Sequence, residues 1–232
     1  MLTGEQSTLE KPEEFAHYLW EGLCELHLGT EKPFLETSEL YKLFITSGPE
    51  YPLDVMTRIY EERISKEHQQ AFRKSIGLAL QKCAETRDPK VFGIVDELTY
   101  LIGTTKATDA LDDLLHTLSN EYLAQNRPRI LFATFSFLPL LVPDDIVFGF
   151  THSVATSPQF DNGYLFAALE TMMNCKADRC TEIISEFAGQ IKGLYNSVKG
   201  NGKEEEAYWK EISKLSSKHP AAKAGIHALS NG

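Results

Sequence analysis

Cysteine is scarce in this chain, and its four residues, Cys24, Cys83, Cys175 and Cys180, are scattered. No C-x-x-C pair occurs, so neither a disulfide framework nor a paired-cysteine zinc site is expected. Cys175 and Cys180 lie close in sequence. The first ten residues are polar, however, and lack the apolar core of a secretory signal, so free thiols and a cytoplasmic location are expected. Long apolar runs are missing too. The longest, Ile130–Val142, has 13 residues and contains Pro139. A helix that crosses a bilayer needs about 18 or more apolar residues, which leaves no membrane span and assigns this run to a buried core. Sustained period-2 alternation is absent, and with it any confident strand.

Positive charge is also in short supply. The formal net charge is −10. Residues 1–65 hold 13 acidic against 5 basic side chains, residues 66–130 hold 9 of each, and residues 131–177 hold 4 against 1. Nucleic-acid binding requires clustered Lys and Arg to neutralise phosphates, so no nucleic-acid partner is expected despite a local group at Arg73, Lys74, Lys82 and Arg87. An acidic surface steers and selects basic proteins.

What the chain does have is helical periodicity from Pro12 to about Leu229. Pro12 with Glu13 and Glu14 suits a helix start. Phe15, Leu19, Leu23 and Leu26 then form a stripe that closes near Gly29. Shorter helices are expected over Ser38–Ile45 and Pro52–Ile64. A helix behind Ser65 turns Phe72, Ile76, Leu80 and Cys83 to one side. Asp88-Pro89 couples a capping side chain to proline at the first helical position, ahead of Val91, Ile94, Val95, Leu98 and Leu101. Lys106–Gln125 reads as one helix with Leu111, Leu114, Leu115, Leu118 and Tyr122 inward. The run Ile130–Val142 is apolar on every side, which predicts enclosure by neighbours and burial of Leu131, Phe132, Phe135, Leu138, Leu140 and Leu141. Asp144 or Asp145 opens the next helix, another follows Asn162, and Asp178 opens a long one reaching Val198. The segment Lys199–Lys203 is a turn, and two helices end the chain.

The fold expected is therefore all-α: an irregular α-solenoid or multi-helix bundle of about ten to twelve helices, a count taken from stripes and stop signals. The chain is expected to form a single all-helical domain, residues 1–232, in which an acidic subregion 1–65 packs on residues 66–217. Asp88-Pro89 and Asn126-Arg127-Pro128 stand 39 residues apart with two helices between them. That spacing resembles the HEAT/armadillo class of helical repeats over roughly residues 65–200, a resemblance that implies a curved stack with an extended binding surface.

Motifs for chemistry fail one by one. Gly202-Lys203 is followed by Glu204 and lacks the first glycine of a phosphate loop. Gly149-Phe150-Thr151-His152-Ser153 lacks the spacing of a nucleophile elbow. His17, Cys24 and His27 share one side of a helix but have no fourth ligand in sight, and Asp113-x-x-His116 is a single half of a di-iron pattern. No metal or cofactor is expected. The acid pairs Glu13-Glu14, Glu61-Glu62, Asp112-Asp113 and Asp144-Asp145 place adjacent carboxylates about 100° apart on a helix, so neither pair member faces the other's substrate. The residues favour a non-enzymatic protein-binding module, of inhibitor or immunity type or an adaptor, acting on a basic protein. Its acidic face is expected at Glu13, Glu14, Glu21, Glu25, Glu36 and Glu39, with Trp20 and Tyr41 as aromatic anchors. The alternatives are an enzyme or small-ligand binder with a pocket near residues 130–152 that includes His152, and a homo-oligomer joined through the apolar run.

Overall fold

Helix follows helix along a chain whose computed structural model describes residues 66–157, 160 and 162–231, together with Ala16, Leu19, Trp20 and Leu23. The fold is all-α, with ten α-helices and no strand among the described residues. They are α1 (Lys66–Glu85), α2 (Phe92–Thr105), α3 (Leu111–Leu118), α4 (Arg127–Leu141), α5 (Asp144–Thr156), α6 (Leu165–Cys175), α7 (Cys180–Glu186), α8 (Ala188–Val198), α9 (Gly202–Lys218) and α10 (Pro220–Asn231). No described helix is long and apolar enough to cross a membrane. The chain divides into two compact units, Met1–Thr134 and Phe135–Gly232, and the division falls within α4.

In the first unit α1, α2 and α3 pack on one another. The stripe Phe72, Ile76, Leu80 and Cys83 is buried, as its spacing predicts. Asp88 caps the following segment: its carboxylate accepts from the Lys90 amide at 2.9 Å. Pro89 then opens a short 3-10 turn, Pro89–Val91, before α2 begins. Val91, Ile94, Val95, Leu98 and Leu101 are all buried. At the other end Lys106 takes the left-handed conformation, φ 57°, and its amide reaches back to the Gly103 and Ile102 carbonyls. Helix α1 meets α3 closely enough that a Cβ on Gly77 would stand 2.5 Å from the Asp113 carboxylate. This is where glycine's missing side chain is required.

The expected helix over Lys106–Gln125 is shorter in the structure. It begins with a 3-10 turn, Thr108–Ala110, runs as α3 only to Leu118, and gives way to another 3-10 turn, Glu121–Leu123. The cause is local. Ser119 Oγ donates to the His116 carbonyl and Asn120 Nδ2 to the Thr117 carbonyl, so polar side chains take the acceptors that end the helix. Tyr122 consequently leaves the stripe, and its hydroxyl donates to the Cys83 carbonyl at the end of α1. Burial, and then the neighbouring Cys83, push the Tyr122 hydroxyl pKa up to about 12.

The second unit packs α5 against α6, and sets α10 against α7, α8 and α9. Its core joins Leu165, Leu169, Met172 and Met173 of α6 to Ile183, Ile184, Phe187 and Ile191, with Tyr208, Ile212 and Leu215 of α9 and Ala222 and Ile226 of α10. The long helix expected from Asp178 to Val198 is divided. A 3-10 turn at Ala177–Arg179 precedes α7, and Phe187, at φ −91° and ψ 9°, separates α7 from α8. The turn at Lys199–Lys203 is present, with Gly200 at φ +85°, a conformation other residues resist. Glu205 closes it by accepting from the Gly200 amide at 2.9 Å.

Helix α4 corrects the burial expected of its apolar run. Leu131, Phe135 and Leu138 are buried as expected, and Leu141 is half-buried. Phe132 is 45 % exposed and Leu140 81 % exposed, against expectation. A run apolar on all sides shows no preferred face in the sequence, so hydropathy alone does not reveal which of its residues stay exposed.

Candidate functional site: the outer side of helix α5

Of the residues expected to form the acidic face, Trp20 is among those described. It is helical and half-buried, while Ala16, Leu19 and Leu23 beside it are buried. Two members of the first stripe are thus buried, and the tryptophan, four residues after Ala16, is partly covered at the edge of that side. Glu13, Glu14, Glu21, Glu25, Glu36, Glu39 and Tyr41 lie outside the described residues, as do His17, Cys24 and His27. No group of three or more metal-ligating side chains occurs among the described residues.

A line of paired side chains occupies one side of α5. Pro143 precedes it in extended conformation and supplies its first carbonyl acceptor, to which the Ile146 and Val147 amides donate. Asp144 and Asp145 fill the first turn, where the positive end of the helix favours them. Val147, Phe150, Thr151 and Val154 turn inward, and this fixes the outward side.

Along that outward side run three successive pairings with the segment Lys176–Glu186. Lys176 Nζ is bonded to Asp145, which holds the Asp145 carboxyl below and the Lys176 ammonium above their ordinary values. The Arg179 guanidinium stands 5.8 Å over the Phe148 ring and also pairs with Glu182 at 2.7 Å. His152 Nε2 lies 2.7 Å from Glu186 Oε1, its ring stacked on Phe148 at 6.0 Å and edge-on to Phe187 at 5.7 Å. Asp145, Phe148 and His152 recur at i, i+3 and i+7, one line along a helix. Exposed ion pairs such as these contribute little to stability.

Nothing in this line is arranged for nucleophilic attack. Ser153 Oγ donates to the Gly149 carbonyl at 3.0 Å and Thr156 Oγ1 to the His152 carbonyl at 2.8 Å, so both hydroxyls beside the histidine are turned onto their own helix. A second histidine, His219, faces a cysteine: Cys180 Sγ and His219 Nδ1 are 3.9 Å apart in the buried interior. Burial raises the thiol pKa and lowers the imidazole pKa, so both groups are held neutral. A reactive cysteine needs the opposite, a thiolate stabilised by positive charge.

Sequence reasoning singled out His152 and the pair Asp144-Asp145 but missed their partners. Lys176 is 31 residues from Asp145 and Glu186 is 34 from His152. The pairings depend on which helices meet, and no local spacing carries that. The chain matches no protein-family model, no curated protein and no solved structure.

Proposed function

We propose that this chain is a non-enzymatic helical module that binds a basic protein through an acidic surface of its first 65 residues, as an inhibitor, an immunity-type protein or an adaptor. The observation that carries the reading is a coincidence in one segment. Residues 1–65 hold 13 acidic against 5 basic side chains. Within them Trp20 stays half-buried while Leu19 and Leu23 are taken into the core. A large aromatic left partly open beside concentrated negative charge suits anchoring and steering together. Glu13, Glu14, Glu21, Glu25, Glu36 and Glu39 form the acidic face in this reading, and Trp20 and Tyr41 are its anchors. A curved helical stack of the HEAT/armadillo kind would present such a face along its length.

The test begins with a pull-down from the native source and identification of a stoichiometric basic partner by mass spectrometry. Association is then measured for the wild type and for the double charge reversal Glu21→Lys with Glu25→Lys, at two salt concentrations. Rim charges act mostly on the association rate, and exposed charges are screened over about 10 Å at 0.1 M salt. The double reversal should slow association several-fold at low salt and leave the melting temperature unchanged. Equal rates for both proteins at both salts overturn the reading.

A further inference from the structure

We infer that the corner between α4 and α5 is a second docking surface, built to take a short amphipathic segment of another protein that carries an apolar side chain next to Lys or Arg. Three large hydrophobic residues are exposed among those described, and two of them, Leu140 and Ile146, flank this two-residue corner. Leu140 is 81 % exposed, so almost none of its side chain is covered by the protein's own atoms. An isolated apolar side chain on a surface is ordinary. Two of them, one on each side of a tight connection, leave apolar surface open on both helices that meet at the corner.

The charges beside that corner state the partner's chemistry. Asp144 and Asp145 are both exposed in the first turn of α5. Lys176 pairs with Asp145 and also faces Asp144, so two carboxylates share one ammonium and the turn keeps an excess of negative charge. Burying Leu140 and Ile146 against an acidic partner would bring like charges together, whereas a basic one gains on both counts. One turn further along, Gly149 is exposed, and the place where a Cβ would stand is open, with nothing within 4 Å. Glycine in a helix interior is less favourable than alanine, and no crowding within this protein requires it here. A bare backbone three residues after Ile146 on the same helix lets an incoming segment lie close to it. This surface is independent of the N-terminal face, so either one stands if the other fails.

The experiment uses the full chain, uniformly labelled with nitrogen-15, and two synthetic helical peptides of equal length: one alternating Leu with Lys at amphipathic spacing, the other with Glu in place of every Lys. Amide shifts are followed by two-dimensional NMR. Sedimentation velocity is run in parallel on the unliganded chain. Expected are saturable shifts confined to residues around 140–149 with the Lys peptide and none with the Glu peptide. Leu140→Ser should weaken that binding about tenfold, the effect of losing most of one buried leucine. Asp144→Asn should weaken it less and reduce its salt dependence. Both positions are exposed, so the melting temperature of each variant should equal that of the wild type and the loss is one of binding. Ile146→Ser supplies a second variant on the other side of the corner. Binding of both peptides alike, shifts centred elsewhere, no binding, or undiminished binding by Leu140→Ser and Ile146→Ser each overturn the inference. A concentration-dependent dimer that Leu140→Ser abolishes also overturns it, because a second copy of the chain is then the occupant.

Discussion

Helix α2 in the first unit and helix α8 in the second show two ways of using the same secondary structure. In α2, ten of fourteen residues are buried, on all sides of the helix. In α8, one of eleven is buried, Ile191, and partial contacts come from Leu194, Tyr195 and Val198. The first is a helix that other helices wrap; the second rests on its neighbours by one narrow edge. Their glycines follow the same division. Gly93 and Gly103 in α2 are buried, whereas Gly189 and Gly193 in α8 are exposed, with open space where a Cβ would go. Wrapped helices hold their sequence by packing. Edge helices leave most positions free, and surface function can be written there at little energetic cost.

The sharpest break of this comparison is truncation of buried side chains. Leu98→Ala in α2 should cost about 2–5 kcal/mol, and Phe187→Ala at the head of α8 about 3–5 kcal/mol, read from chemical denaturation. Leu194→Ala, on the partly covered edge of α8, should cost distinctly less than either. Equal losses at Leu98 and Leu194 would erase the difference between wrapped and edge helices.

Alanine at glycine positions should divide in sign. Gly77→Ala meets the Asp113 carboxylate, which also accepts from Gln81 at 2.9 Å, and should destabilise by about 1–3 kcal/mol through overpacking. Gly189→Ala and Gly193→Ala should each stabilise by about 0.5–1 kcal/mol from helix propensity alone. Thermal melts of the three variants decide this.

The smallest effects are in the acid range. Burial would raise the Glu170 carboxyl pKa, but hydrogen bonds from Lys218 and Lys214, the latter at 3.2 Å, outweigh it and hold the group below its ordinary value of 4.5. A depressed carboxyl contributes stability above its unfolded value, and that contribution is lost as pH falls through the folded one. His219 is depressed mainly by burial from 6.5, so the unfolded ring takes up a proton before the folded ring does. Stability attached to it declines as pH falls below about 6.5. His219→Phe should flatten the stability profile below about pH 6.5, and Glu170→Gln below about pH 4.5, as judged by urea midpoints at each pH. Unaltered profiles in both variants would remove the electrostatic part of the argument.

The all-helical fold was legible because burial in these helices repeats at helical spacing. Phe72, Ile76, Leu80 and Cys83 announce α1 that way, and Tyr208, Ile212 and Leu215 announce α9. Asp88-Pro89 marked its boundary correctly because the side-chain cap and the missing amide are both local. Breaks inside long stripes were not legible. Ser119 and Asn120 end α3 by bonding to carbonyls that the next turn would have used. Leu140 was misjudged because its exposure depends on what stands beside α4. The α5 surface was half legible: Asp144, Asp145 and His152 stood out as residues, but Lys176, Arg179 and Glu186 become their neighbours only through tertiary pairing.

The buried thiols add a consequence for how this molecule can be watched. Cys83 in the first unit and Cys180 in the second are buried and form no disulfide, and Cys180 is raised in pKa by burial, which slows its reaction further. Each reacts with an alkylating reagent only when the structure around it opens. Cys175, by contrast, is half-buried, with a pKa raised by burial to about 11. Timed alkylation followed by peptide mass spectrometry would thus clock the opening of each unit separately, in one tube and without an added label. The chain carries a gauge of local opening in each half.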